Sequence, residues 1–382
     1  MVDATNAARL PYGRQSITSD DIDAVVEVLR SDWLTTGPAV AAFEAELERI
    51  TGSPAVTVTS GTAALHAAYG GIGVTAGDEV ITTPITFVAT ALTAAQLGAR
   101  VRFADVSDDT ANIDPAAVEA LLSDRTVAVA GVDYAGHPID VDALRPLTRR
   151  AGAVLLEDAA HSIGGWYRGR QVGSLADVTC FSFFPTKNMT TAEGGAVACA
   201  DSQLLARIRR FARIGVERDP ASWRHPDEGG WWYEVAGFGV NYRLPDVLCA
   251  LGLAQLDRLS TFVKRRAELV ARYHTLLAGL PGLRLPIQRP DVDPAWHLYA
   301  VRVLDGRRRE VYERMRAAGI LVQVNYIPVY WHPVFADAGY LRGMCPVAER
   351  FYAEQLSLPL YPDLSDSDQD RVVEVLSTIL DS

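Results

Sequence analysis

Short runs of β-branched and apolar residues alternate with helical patterns from about residue 50 onward. This alternation is typical of a parallel sheet covered by helices on both faces, so it predicts an α/β fold. The predicted strands span residues 55–59, 79–82, 100–104, 127–132, 153–157, 178–183 and 195–200.

Two helices of this region show clear start signals. Asp114 is a suitable N-cap and Pro115 suits the first helical turn, which predicts a helix beginning there. An earlier helix is predicted after Thr18. Its apolar residues have the spacing of one buried face, formed by Ile22, Val25, Val26 and Leu29.

The pattern changes after residue 215. Residues 216–237 contain prolines, glycines and tryptophans without a clean period, and they predict a long loop of the kind that is often functional in enzymes. Beyond it, helical patterns at 244–262, 309–317 and 366–380 and strand-like runs at 298–303 and 321–325 predict a smaller α+β domain. We therefore expect a large domain over residues 1–250 and a small domain over residues 251–382.

Composition narrows the classes of function. The chain has 382 residues, and 49% of them are hydrophobic, which argues against wholesale disorder. Its formal charge of −11 argues against a nucleic-acid-binding groove. No segment resembles a secretory signal or is apolar enough to span a bilayer, so we expect a cytoplasmic protein with no membrane partner. The four cysteines are widely spaced and predict reduced core residues, with no metal site.

Residues Ser60, Gly61, Thr62 and Ala63 lie between a predicted strand and a predicted helix. The free backbone N–H groups of a helix N-terminus, together with the Thr62 hydroxyl, suit a phosphate group. On this segment alone, a simple strand-to-helix turn capped by Ser or Thr is the favoured interpretation.

Further along the chain, Glu157 and Asp158 end an apolar strand, and His161 follows them. Because buried carboxylates are costly, such a pair either caps a neighbouring element or holds a cationic partner.

Lys187 follows an aromatic strand. Most lysines are solvated, but a desolvated amine there would serve as a nucleophile. Phe87 is either a core residue or a face on which a planar ring stacks.

Together these features match the needs of a pyridoxal phosphate site, which are an amine, an acid for the pyridine nitrogen, an aromatic face and a phosphate cup. The sequence resembles the DegT/DnrJ/EryC1/StrS family of sugar aminotransferases. The matching motifs lie at residues 31–38, 59–65, 157–161, 181–187, 193–195 and 239–243. The resemblance implies the aspartate aminotransferase fold, which has a mainly parallel seven-stranded sheet and a smaller C-terminal α+β domain.

The resemblance also implies roles for individual residues. Lys187 matches the lysine that carries the coenzyme, Asp158 the acid at the pyridine nitrogen, and Phe87 the stacking aromatic. His161 stands beside the coenzyme's phenolic oxygen, where many relatives have Gln. The further implied coenzyme-binding residues are Ser60, Gly61, Thr62, Ala63, Ser182 and, from the neighbouring subunit of a homodimer, Asn241; the implied substrate-binding residues are Arg243, Glu193, Tyr330 and His332.

The activity implied is a ping-pong transamination from glutamate, which leaves 2-oxoglutarate, to a nucleotide-linked keto-deoxy sugar. Several motifs look most like the branch that aminates C4 of UDP-linked 4-keto-6-deoxy hexoses on the pseudaminic acid route. Amination of a 3-keto sugar or a keto-inositol is an alternative. A sugar 3-dehydratase of the same family would have His in place of Lys187, and a non-catalytic regulator that binds the coenzyme or a sugar nucleotide would not need the complete set of residues.

Overall fold

Seven strands form the central sheet of the protein, in a computed structural model that describes residues 9–382. The strands are β1 (Ala55–Val58), β2 (Glu79–Thr82), β3 (Arg100–Phe103), β4 (Thr126–Val132), β5 (Val154–Asp158), β6 (Val178–Ser182) and β7 (Gly195–Ala198). In the order β1-β7-β6-β5-β4-β2-β3, all neighbours are parallel except β7, which is antiparallel to both β1 and β6. The predicted α/β fold is confirmed, and the predicted strand ends are correct to within two residues.

Both faces of this sheet are buried, as expected when helices cover each side. Successive side chains of a strand point to opposite faces. Leu155 and Leu156 of β5 accordingly belong to two different hydrophobic clusters, one on each side of the sheet. The same alternation places Asp158 on the face of Leu156 and Glu157 on the face of Leu155.

Helices cover both faces of the sheet. For the two helices predicted at Asp114 and after Thr18, the structure agrees with the first prediction and differs from part of the second. The helix at Asp114 is confirmed, since the Asp114 side chain accepts from the backbone N–H of Ala116. The buried face predicted after Thr18 is wrong, because Ile22 and Leu29 are each 56% exposed. That helix is held by Asp21, which is buried and pairs with Arg258. The helices of this part of the chain are Ser19–Arg30, Pro38–Thr51, Gly61–Ile72, Ala89–Gln96, Pro115–Leu121, Val141–Ala151 and Ser202–Ala212.

The C-terminal part is α+β, as predicted, and has its own hydrophobic cluster, which Leu10 joins from the N-terminal end. The predicted helix over 244–262 is two helices that meet at Arg258. The predicted division at residue 250 falls inside the first of them and stays a prediction. The helices are Asp246–Asp257, Leu259–Leu276, Arg308–Ala317, Pro333–Asp337, Pro346–Glu354 and Asp366–Leu380, and Leu283–Arg284, Tyr299–Val303 and Gln355–Leu358 form an antiparallel sheet.

Smaller elements complete the fold. The predicted loop over 216–237 contains a hairpin, in which Val216–Glu217 pairs with Glu234–Val235. The predicted strand over 321–325 is shorter, and Ile320–Leu321 pairs with Leu10–Pro11. All four cysteines are buried and free. Within residues 9–382, no helix is long and apolar enough to cross a membrane, and no cluster of His, Cys, Asp or Glu suits a metal ion.

Candidate active site

A cavity of about 400 Å³ lies at the carboxyl ends of the parallel strands, where α/β sheets commonly bind their ligands. Strands β4, β5 and β6 each contribute residues from their C-terminal ends, and the segments after β1 and β2 contribute more. The C-terminal part of the chain closes one side with His297, Asn325 and Tyr326. The sheet therefore brings residues from distant parts of the sequence to one place.

Asp158 ends β5 and points into this cavity from a buried position. Its Oδ2 accepts a hydrogen bond of 2.7 Å from the Thr90 hydroxyl, and its Oδ1 accepts one of 3.2 Å from the backbone N–H of Ala160. Burial raises the pKa of Asp158, whereas these two hydrogen bonds and the charge of Lys187 oppose that shift. A cationic group beside Asp158 would therefore favour its ionised form.

Lys187 lies in a turn that follows β6, where its backbone N–H donates to the carbonyl of Phe184 over 2.9 Å. The side chain lines the cavity. Burial lowers the pKa of Lys187 to about 8, although the nearby Asp158 carboxylate works in the opposite direction. Near neutral pH a useful fraction of this amine is therefore unprotonated and nucleophilic.

His161 lies in the turn after β5 and is buried. Its Nε2 is 3.0 Å from the hydroxyl of Tyr326, and its ring lies against that of His297 with centroids 4.3 Å apart. Burial, with a smaller effect of Lys187, lowers the pKa of His161 well below its ordinary value, so the ring is neutral. Its Nδ1 is buried and has no hydrogen-bond partner among the described residues.

The start of helix Gly61–Ile72 forms another wall of the cavity. Ser60 caps the helix, and its Oγ accepts from the backbone N–H of Ala63 over 3.0 Å. A Cβ on Gly61 would lie 2.7 Å from the Cβ of Ser182, so only glycine allows this close approach. Ser60, Gly61, Thr62 and Ser182 line the cavity together, whereas Ala63 is buried behind them.

The remaining predicted site residues fall into two groups. Phe87, which is 57% exposed, and Glu193 both line the cavity. Tyr330 does not line it, since its hydroxyl donates to Glu349 and its ring packs against Phe103, and its role in substrate binding stays a prediction. The other residues that lie outside this cavity are His332, Asn241 and Arg243.

Several lining residues were not predicted as site residues, among them Tyr12, Thr90, His297 and Tyr326. Thr90 had a weak signal, since Thr86 and Thr90 are four residues apart in the sequence, which is the spacing of one helical face, although the helix begins only at Ala89. His297 lies in a strand-like region more than a hundred residues after Lys187, and no local pattern marks it.

The model of the DegT/DnrJ/EryC1/StrS aminotransferase family matches residues 15–377. The chain belongs to this family. It is 40% identical over 379 residues to the spore coat polysaccharide biosynthesis protein SpsC of Bacillus subtilis (strain 168), with 97% of each chain covered. This DegT-family protein is thus a sugar aminotransferase, and the resemblance found in its motifs is confirmed.

Solved structures of DegT-family enzymes have the same fold. PseC of Helicobacter pylori, an aminotransferase involved in the biosynthesis of pseudoaminic acid, is 30% identical with a TM-score of 0.91, over 98% of this chain and 99% of PseC. DesV of S. venezuelae is 34% identical with a TM-score of 0.89, over 98% of this chain and 100% of DesV. The aspartate aminotransferase fold is therefore confirmed.

Pyridoxal 5'-phosphate (PLP) is the coenzyme of this family. The structure of the putative sugar aminotransferase Spr1654 of Streptococcus pneumoniae has been solved in its PLP form. Spr1654 is 28% identical to this chain with a TM-score of 0.91, over 98% of this chain and 99% of Spr1654. The cavity of the present DegT-family member fits the coenzyme. It holds an amine of lowered pKa, a carboxylate, and a helix N-terminus brought close to Ser182 by Gly61. The unpartnered Nδ1 of His161 leaves a buried polar atom for the coenzyme to satisfy.

Proposed function

We propose that this sugar aminotransferase transfers an amino group from glutamate to C4 of a nucleotide-linked 4-keto-6-deoxy hexose, in the cytoplasm. The observation that carries the proposal is the cavity in which Lys187, Asp158, His161 and Phe87 meet. The acceptor class is supported by PseC, which acts in pseudoaminic acid biosynthesis, and by SpsC, a protein of spore coat polysaccharide biosynthesis.

The chain's own residues divide the chemistry between them. When bound, pyridoxal phosphate supplies an electron sink for the carbanion formed at the substrate carbon. Lys187 Nζ would remove the proton from that carbon and deliver it to the carbon on the other side of the transferred nitrogen, which its lowered pKa allows near neutral pH. Asp158 keeps a proton on the ring nitrogen through a charge-assisted hydrogen bond. Phe87 covers the flat face of the ring and excludes water from it.

We further propose a homodimer whose active sites are shared. Asn241 and Arg243 lie outside the cavity of their own chain, on an exposed surface, where they are free to serve the site of a second copy. The hairpin and the residues after it expose large apolar side chains, including Trp231 and Phe238, and large exposed apolar groups are typical of an interface.

A second cavity near this surface supports the choice of a nucleotide-linked substrate. It has a volume of about 200 Å³ and is lined by Arg209, Arg213 and Arg243, with Glu44 as its only acidic residue. Glu44 pairs with Arg209 at 2.8 Å and with Arg213 at 3.5 Å, so the cluster keeps a net positive charge. Guanidinium groups suit phosphate oxygens, and we propose that this cluster binds the substrate's diphosphate in the partner's site. Such local charge would offset the formal charge of −11.

The proposal is tested by offering the yellow holoenzyme L-glutamate and a panel of UDP-, TDP- and GDP-linked 3-keto and 4-keto 6-deoxy sugars. We expect 2-oxoglutarate to form and NMR to show a new amine at C4 of at least one 4-keto substrate. Lys187→Ala, assayed in parallel, should give no product. Amination only at C3, or no aminated sugar with any member of the panel, would contradict the proposed acceptor.

A further inference from the structure

Tyr326 contacts the one nitrogen of His161 that has a partner. We propose that Tyr326 is a positioning residue that sets the tautomer of His161: its hydroxyl donates to Nε2 and so keeps the imidazole proton on Nδ1. His161 then offers an N–H donor to the coenzyme's phenolic oxygen. The role of Tyr326 rests on the coenzyme that the family uses, and not on the proposed sugar nucleotide.

The first support is the arrangement of the two rings. Tyr326 lies parallel to His161 with a 23° angle between the ring planes, and the oxygen-to-Nε2 distance is 3.0 Å. His297 packs against the same imidazole, with ring centroids 4.3 Å apart. Because neighbours on two sides restrict the orientation of the His161 ring, the position of its proton is the main remaining variable.

The second support is the direction of the hydrogen bond. Burial raises the pKa of the Tyr326 phenol, so its oxygen keeps the proton. Within residues 9–382, the one hydrogen-bond partner of this hydroxyl is Nε2 of His161, at 3.0 Å. A phenol O–H needs an acceptor, and Nε2 can accept when the imidazole proton is on Nδ1.

The third support is the state of Nδ1. This atom is buried and has no partner among residues 9–382, and leaving a polar atom buried without a partner costs about 1–3 kcal/mol. The neutral ring can carry one proton only. A proton on Nε2 would compete with the proton of the Tyr326 hydroxyl for the same contact and would leave Nδ1 as an acceptor without a donor, whereas a proton on Nδ1 gives the ring an N–H that an oxygen of the bound coenzyme would accept.

The proton can be located directly by ¹⁵N NMR of histidine-labelled holoenzyme, with His161→Gln to assign the signals. We expect wild-type His161 to show a pyrrole-type Nδ1 and a pyridine-type Nε2. Tyr326→Phe should remove this preference, giving an averaged or inverted pattern. The matched control is Tyr134→Phe, which removes a buried hydroxyl that donates to the Asn325 carbonyl and does not contact His161, and it should keep the wild-type pattern.

Coenzyme affinity gives a second readout. We expect Tyr326→Phe to raise the Kd for pyridoxal phosphate by about 3- to 10-fold, the effect of one hydrogen bond, and to have no further effect in a His161→Gln background. A proton found on Nε2 of wild-type His161 would overturn the proposal, and this observation needs no variant of Tyr326. Unchanged nitrogen signals in Tyr326→Phe would overturn it as well. Neither result depends on which sugar the enzyme accepts.

Discussion

The Thr90 hydroxyl donates a hydrogen bond of 2.7 Å to Oδ2 of Asp158. The hydroxyl of Thr86 lies 2.7 Å from that of Thr90 and is free to donate to it, since Thr90 gives its own proton to the carboxylate. Oδ1 of Asp158 accepts from the backbone of Ala160. The carboxylate is thus held at both oxygens by the protein, which orients it before any ligand binds.

Removing the Thr90 hydroxyl should make Asp158 a weaker acid. We expect Thr90→Val to raise the pKa of Asp158, because the lost hydrogen bond favours the ionised form. The acidic limb of the pH profile of kcat/KM should then move to higher pH, with a loss of roughly 5-fold at its lower end, the equivalent of about 1 kcal/mol.

Thr93→Val is the matched control for this change. Thr93 is buried on the same helix, but its hydroxyl donates to the backbone carbonyl of Ala89 and does not touch Asp158. An acidic limb that stays in place for Thr90→Val, or one that moves equally in Thr93→Val, would show that the hydrogen bond does not tune the carboxylate.

The sequence predicted the sheet well because its central strands are buried on both faces and therefore read as short apolar runs. Candidate site residues could be predicted where a reactive side chain ends or follows such a strand, as Asp158 and Lys187 do. The exposed face of helix Ser19–Arg30 was mistaken for a core face, since a helical period shows that apolar residues share a face and does not show that the face is covered.

Residues from the C-terminal part of the chain were harder to predict. His297 reaches the cavity only through long-range packing, so its sequence neighbours carry no signal for it. Tyr326 and Tyr330 belong to the same aromatic segment, yet Tyr326 lines the cavity and Tyr330 is buried against Phe103. The direction of a side chain in an irregular segment depends on tertiary packing that no local period records.

Gly61 should be required for coenzyme binding. In Gly61→Ala the new methyl group would lie 2.7 Å from the Cβ of Ser182, so the helix start must move away from that residue. We expect the phosphate cup to widen and the Kd for pyridoxal phosphate to rise about 10-fold, equivalent to about 1.4 kcal/mol. Gly230→Ala adds a methyl group in open space and should bind the coenzyme as the wild type does. Equal affinity for both variants in a fluorescence titration would argue against a tight cup.

The buried acids Asp133 and Glu157 should make stability depend on pH. Burial raises the pKa of both carboxyl groups, and that of Asp133 is raised further by the charge of Glu157. The folded protein therefore holds a proton that the unfolded chain releases above about pH 4. The free energy of unfolding must therefore decrease as the pH rises from about 4 to the raised pKa values of these two acids, by up to about 1.4 kcal/mol per pH unit for one proton.

Glu157→Gln should flatten this dependence, since an amide keeps an oxygen acceptor for the Thr179 hydroxyl and has no proton to lose. We expect its melting temperature to decrease less than that of the wild type between pH 5 and pH 8. Glu119→Gln, which alters a half-exposed carboxylate paired with Arg150, should keep the wild-type slope. A slope as steep in Glu157→Gln as in the wild type would exclude Glu157 as the source.

The central role of Lys187 is tested most directly by the first half-reaction with glutamate. Stoichiometric L-glutamate should bleach the yellow absorbance of the wild-type holoenzyme and release one equivalent of 2-oxoglutarate per site. Lys187→Ala loaded with the coenzyme should release none on the same timescale, while Lys264→Ala, which lies outside this cavity, should behave as the wild type does. Release of 2-oxoglutarate by Lys187→Ala at the wild-type rate would contradict the assignment of Lys187 as the group that moves the proton.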